Sequence, residues 1–281
     1  GSVLPMFGRI MASGNYALDR VDASGESVVT NTTPVGAYRG AGRPEATLAL
    51  ERIIDVYAAE IGMDPAELRR RNFLGKDDFP FVTQTGADMD TGDYEAALDK
   101  VLEIVDVDAL RAEQAARIDD PARPLLGIGW AAYVEITNPL SASEFGSCEI
   151  QPDGTALLLT GSSAHGQGHY TTFAQLASEL TGIPVDKIEV RHGDTDEVKR
   201  GGGTGGSRSL QVGGTAIWEA TKTVVEQAKG VAAEVLEANP ADIVLDTDTG
   251  TFAVTGSPSV TIGWAAVAAQ SHSIGDRWRC K

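Results

Sequence analysis

Three short glycine-bearing loops carry arginine, glutamine, histidine and hydroxyl side chains set to bind an anionic or oxo group. The first, Gly36-Ala37-Tyr38-Arg39-Gly40-Ala41-Gly42-Arg43, runs straight into Pro44-Glu45, a helix opening. Free N–H groups and the dipole at a helix start favour an anion, and two arginines four apart add forked donors for a phosphate or an oxo group. A surface ion pair with Glu45 or Glu51 is the competing reading. The second loop, Gly161 to His169, contains Gly166-Gln167-Gly168-His169. Gln167 offers donors and an acceptor to a heterocycle edge or an oxo ligand, while the glycines let backbone approach closely. His165 and His169 are spaced i, i+4, but the glycines between them break the helix a zinc pair needs. His169 therefore reads as a hydrogen-bonding residue, and no metal ligand is expected.

The third loop, Gly201-Gly202-Gly203-Thr204-Gly205-Gly206-Ser207-Arg208, precedes Ser209 and a long helical stretch. With Thr204, Ser207, Ser209 and main-chain N–H groups as donors, it resembles a phosphate cradle. It lacks the lysine of a P-loop and the acidic residue of a dinucleotide fingerprint. Any one of these loops can be read as a tight turn; all three lead into helix-like segments. Elsewhere no serine sits in a nucleophile elbow. Cys148 falls in a strand-like run and reads as a small buried hydrophobe. Asp77-Asp78 and the group Asp194, Asp196 and Glu197 read as solvated loops. Glu135, in an apolar stretch, is a carboxylate that strand edges also carry.

Positioning these loops takes an α+β chain. Residues 1–22 look irregular, and Val28 to Thr33 reads as a β-branched strand halted by Pro34. Helical spacing of Leu48, Leu50, Ile53, Ile54, Tyr57, Ala58 and Ile61 predicts a helix from Pro44 to Gly62. Asp64-Pro65 opens a short helix to about Asn72, and 93–117 is helical with a break near Val107. The prolines in 119–124 mark a linker and a change of domain near residue 122. Beyond it, 126–137 reads as a strand, 147–150 with 156–160 as a hairpin, and 170–181 as a helix. A strand at 188–191, one or two long helices over 207–239, a second hairpin from 243–246 and 251–254, and a short helix at 261–270 complete the chain.

Composition narrows the partners. Lys and Arg number 23 against 40 Asp and Glu, a net charge of −17, which disfavours nucleic acid and anionic membrane surfaces. With 42% hydrophobic and 22% charged residues the chain is globular, and no apolar run approaches the ~20 residues of a bilayer span. Residues 1–11 do not form a signal peptide. Two cysteines, Cys148 and Cys280, make no disulfide framework, so a reducing, cytoplasmic setting is expected.

Taken together, the loops resemble those of the molybdenum-hydroxylase large subunits, the xanthine dehydrogenase family with its aldehyde oxidoreductases and aerobic carbon monoxide dehydrogenases. Thr32 to Ala46 is similar to that family's arginine loop, Arg69-Arg70-Arg71-Asn72-Phe73-Leu74 to its LRRxN stretch, and Gly166 to His169 and Gly203 to Ser209 to its two later cofactor loops. The resemblance implies an α+β molybdenum-cofactor-binding domain of two mixed helix/sheet subdomains. Residues 1–122 would be the C-terminal part of the first and 123–281 a truncated second. It implies a molybdenum–molybdopterin cofactor, in bacteria often the cytosine dinucleotide form, held by the intact subunit, whereas this chain alone need hold none. Arg39, Gly40 and Ala41 would line the metal's apical side, with Arg39 catalytic. Gly166, Gln167, Gly168, His169, Thr204, Gly205, Ser207, Arg208 and Ser209 would hold the pterin, its oxo partner and the pyrophosphate.

Family enzymes hydroxylate a small-molecule substrate with water-derived oxygen. They pass electrons to a 2Fe-2S small subunit and an FAD-binding medium subunit, in a homodimer of heterotrimers. Three departures accompany the resemblance. The family's glutamate base, in a terminal Gly-x-Gly-Glu loop, has no counterpart, so the chain alone is expected to be inactive. An upstream glycine- and phenylalanine-bearing loop is absent too. Copper-bearing carbon monoxide dehydrogenases carry cysteine directly after the loop arginine, where Gly40 stands here. The contrasting reading is a cofactor-free scaffold or anion-binding domain.

Overall fold

The computed structural model describes residues 3–34, 36–139 and 143–272; Val35 and Cys280 lie outside them. The chain forms two compact units, Gly1–Glu135 and Ile136–Lys281.

The first unit is mainly helical: α1 (Val3–Ile10), α2 (Arg43–Glu60), α3 (Pro65–Asn72), α4 (Tyr94–Val105) and α5 (Val107–Ile118). A short antiparallel pair, β1 (Phe81–Val82) and β2 (Asp88–Met89), lies between α3 and α4. Local chemistry sets the helix ends. Asp64 Oδ1 accepts from the N–H groups of Ala66 and Glu67 at 2.9 and 3.0 Å, with Pro65 at the first helical position. Asp106, at φ 46, ends α4 and caps α5 through Ala109 N, which is the break expected near Val107.

At the centre of this unit lies a buried ion pair. Arg69, 1% exposed, donates from Nε to Glu51 Oε2 at 2.8 Å, while its other nitrogens donate to the carbonyls of Pro65, Glu51 and Trp130. Tyr16 donates to Glu51 Oε1 at 2.6 Å, and Ala132 N–H to Oε2 at 2.8 Å. Burial first, and then the Glu51 carboxylate, hold the Tyr16 phenol well above its usual range. Residues 124–135 stay with this unit because their backbone is tied into it, Leu126 O by Gln114 and Trp130 and Ala132 by the ion pair. The strand expected over 126–137 is therefore not formed; its polar groups find side chains instead of a ladder.

In the second unit β3 (Gly146–Ile150) pairs antiparallel with β4 (Ala156–Thr160), and β4 pairs parallel with β5 (Ile188–Arg191). A parallel neighbour demands a crossover, supplied by α6 (His169–Thr181). A π-helical turn, Ser209–Gly214, runs into α7 (Thr215–Val235). The antiparallel sheet β6 (Ile243–Asp246), β7 (Thr251–Val254) and β8 (Ser257–Gly263) follows, then α8 (Trp264–His272). The hydrophobic core lies here, with Cys148, Leu158, Phe173, Ile217, Val224 and Phe252 at its centre.

Other expectations give way as well. Val28 to Thr33 joins no sheet, and Val29 is 97% exposed, since β-propensity without a partner face does not make a strand. The segment read as irregular forms α1, which buries Phe7. The last helix starts at Trp264 instead of Thr261, because Thr261 and Ile262 pair with Ala253 and Phe252. No helix among the described residues is long and apolar enough to cross a membrane.

The buried pair yields a test. Arg69→Met strands the Glu51 carboxylate and should cost about 3–5 kcal/mol in urea unfolding. Arg70→Ala, which removes contacts to exposed Glu95 and Asp99, should stay within about 1 kcal/mol. Equal losses would show that burial of the pair does not matter.

Candidate functional site

The arginine loop belongs to the first unit. Its chain reverses through Gly40 (φ 101), Ala41 (φ 51) and Gly42 (φ 94), and Gly42 begins α2 with no side-chain cap. The two arginines take different roles. Arg43 is buried, donates to Gly40 O at 2.6 Å, and pairs with Glu135 at 2.6 Å, not with Glu45 or Glu51. Arg39 is exposed. Glu135, read from sequence as a strand-edge carboxylate, is thus Arg43's counter-charge.

The second and third loops both belong to the second unit, and their roots touch. Gly203 N–H donates to Gly161 O at 3.0 Å. A Cβ on Gly161 would stand 2.5 Å from Gly201 Cα, so the two backbones meet where only glycine fits. Beyond this root the second loop opens. Gly166 and Gly168 have positive φ, and a Cβ on either would meet nothing within 4 Å. Gln167 is exposed, its Oε1 accepting from His165 N–H.

Gly168 starts the 13-residue helix α6 in left-handed conformation without a side-chain cap, its carbonyl accepting from the N–H groups of Thr171 and Thr172, both at 3.0 Å. His169, 5% exposed, stacks on Phe173 at 5.0 Å, and its Nδ1 is buried without a hydrogen-bond partner. His192, stacked on Tyr170 at 4.6 Å, buries an unpartnered Nε2.

In the third loop the Thr204 and Ser209 hydroxyls are 2.8 Å apart, Ser207 sits at φ 54, and Gly205 is exposed. Arg208 Nη2 donates to Gly203 O at 3.2 Å and lies 3.4 Å from Glu144 Oε2. Glu144 is a residue the sequence reading passed over. Its side chain is 1% exposed and accepts from Gly202 N–H at 3.2 Å. The partner lies 64 residues along the chain, so no local pattern announces it.

The second unit is thus an α+β domain in which a helix start without a side-chain cap, an unpartnered imidazole nitrogen and open glycine backbone adjoin one another. The sequence profile of the molybdopterin cofactor-binding domain matches residues 100–279, and a second profile of the same description matches residues 1–73. The large chain of carbon monoxide dehydrogenase from Hydrogenophaga pseudoflava is 42% identical over 275 residues, 93% of this chain and 34% of that one. The structure of quinoline 2-oxidoreductase from Pseudomonas putida 86 superposes with a TM-score of 0.84 at 32% identity, over 96% of this chain and 35% of its own. A Cu,Mo-CO dehydrogenase structure gives a TM-score of 0.75 at 32% identity, over 94% and 35%. The chain belongs to the molybdopterin cofactor-binding family of molybdenum-hydroxylase large subunits, and spans about a third of the length of these relatives.

A pH test follows from His169. Burial first, and then the charges of His192 and His165, hold its imidazole below the ordinary 6.5. With the folded pKa under the unfolded one, the neutral ring's contribution to stability is complete above about 6.5 and is lost as pH falls below it. Proton NMR should find His169 titrating below 6.5, and His169→Phe should flatten the acid limb of the stability curve. A ring titrating at or above that value would contradict the burial.

Proposed function

We propose that this chain is the molybdopterin-binding segment of an oxidoreductase large subunit that hydroxylates a carbon of a small organic substrate with oxygen from water. The carrying observation is the start of α6, where Gly168 brings no side-chain cap and His169 buries an unpaired Nδ1 beside open glycine backbone. A helix start without a side-chain cap, set beside open glycine backbone and an unpaired imidazole nitrogen, suits a pterin edge and its phosphates better than it suits water or a second protein chain. When bound, the cofactor supplies two-electron oxidation of the substrate carbon; the residues of this chain hold and orient it. Gly166, Gln167, Gly168 and His169 present donors at the mouth of α6. Thr204, Gly205, Ser207, Arg208 and Ser209 form the phosphate side, and Arg39, Gly40 and Ala41 serve from the first unit, with Arg39 as the residue acting in catalysis.

In this reading the two compact units carry parts of a first and a second cofactor-binding subdomain. The cofactor is the cytosine dinucleotide form, and electrons leave to a 2Fe-2S small subunit and an FAD-binding medium subunit in the cytoplasm. Copper-dependent oxidation of carbon monoxide is not proposed, although the Hydrogenophaga relative is named for that gas. Gly40 has a φ of 101, and the Pro44 ring stands 2.5 Å from where a Cβ would be, which leaves no place there for a cysteine side chain.

The full-length subunit, assembled with its partners, should contain about one molybdenum by elemental analysis and no copper. Arg39→Ala and Gln167→Ala should each lower kcat/KM about 5–150-fold, the kinetic equivalent of about 1–3 kcal/mol for a buried acceptor left without its donor. Correctly assembled enzyme without molybdenum would refute the proposal.

A further inference from the structure

We propose that Glu144 is the positioning residue of the polyglycine loop, the carboxylate that sets Gly202 and Arg208 in the shape in which the loop receives the cofactor. This rests on the function proposed above and adds a residue to it. Glu144 is almost wholly out of water, with 1% of its side chain exposed. Its oxygens accept from Phe145 N–H at 2.9 Å and Gly202 N–H at 3.2 Å, and lie 3.5 Å from Ser162 Oγ and 3.4 Å from Arg208 Nη2. One carboxylate thereby ties the root of the glutamine loop, through Ser162, to both ends of the polyglycine loop.

Two glycines from different loops leave room for this pair. A Cβ on Gly202 would overlap the Arg208 guanidinium, and one on Gly161 would overlap the Glu144 carboxylate. Neither clash involves the open face of the loop, where Gly203 and Gly205 have nothing within 4 Å of a Cβ. The glycine pattern is thus divided between admitting the ion pair and leaving the outer backbone bare.

Charge explains why the arrangement works beside a polyanion. An unpaired carboxylate there would repel phosphate, but Arg208 neutralises it. Arg208 in turn has Nη2 committed to Glu144 and Gly203 O, which makes it a brace of the loop. The backbone donors of the bare segment then meet the anion already ordered, without the entropic cost of ordering a glycine run at the moment of binding.

The test uses the assembled full-length enzyme carrying Glu144→Gln or Arg208→Gln. Release of molybdenum and of fluorescent pterin is followed during dialysis, at a temperature well below unfolding of every variant. Each substitution should speed release by about tenfold or more, equivalent to about 1.4 kcal/mol. The double variant should be no worse than the faster single one, because both remove the same pair. A merely structural role would lower the unfolding temperature without changing release, and that result overturns the proposal, as does release within about twofold of wild type. Should Glu144→Gln fail to assemble, Glu144→Asp, which keeps the charge and shortens the reach to Gly202 N–H, carries the same thresholds. Wild-type enzyme lacking molybdenum would defeat the underlying function and this inference with it.

Discussion

A carboxylate removed from water needs donors around it, and each unit of this chain is organised about one. Ionic desolvation costs several kcal/mol per group after relaxation, so a buried Glu survives only where its partners are closely arranged. Glu51 meets this with Arg69, Tyr16 and the Ala132 N–H, drawing together α2, α3, the entry segment and the extended 126–132 stretch. Glu144 meets it with Arg208, Gly202 and the backbone beside it. The consequences differ. In the first unit the pair lies among buried apolar residues such as Met11, Leu68 and Leu74, while α2 leaves Leu48 72% and Ile53 59% exposed. In the second unit, where the apolar core is extensive, the pair instead organises a surface loop.

The glycines of the second unit serve two physical ends. At Gly161 and Gly201 a side chain would strike neighbouring backbone, so absence of Cβ allows two loops to cross. At Gly166 and Gly168 there is no such obstacle; positive φ and an uncovered main chain are what remain. The first kind holds the loops together, and the second leaves N–H groups and carbonyls accessible. A cluster of five glycines at 201–206 contains both kinds side by side, which is why its composition alone does not separate a turn from a binding loop.

Local signals were legible and long-range ones were not. Helix α3 is written in Asp64-Pro65 and the β3–β4 hairpin in Pro152-Asp153-Gly154, and the break expected near Val107 falls at Asp106. The β-branched run Val28 to Thr33 misled because a strand is a property of two segments, and this one has no partner in a sheet. Residues 126–137 misled for a related reason: hydrogen bonds to side chains of α2, α3 and α5 replaced those of a ladder. The glycine loops stood out because three short segments each carried donors ahead of a helix. Glu144 and His192 did not, since a single carboxylate or imidazole gains meaning only from residues distant in the chain.

The same division bears on what such a domain can select. Polar groups at the start of α6 and along the polyglycine loop are main-chain groups, an amide and an imidazole, and under the proposed function these would answer to a cofactor's edges and phosphates, whatever is oxidised nearby. Solved relatives about a third identical to this chain over the same segment, and named for a gas in one case and a fused heterocycle in another, are what that separation leads one to expect. The exception is the turn around Arg39. There the conformation is set by Gly40, Ala41 and Gly42, all at positive φ, and by Arg43 donating back to Gly40 O. A branched or thiol side chain at Gly40 would have to displace the Pro44 ring that opens α2. The backbone at that position is therefore coupled to how the helix begins, and a larger residue there would require the start of α2 to shift.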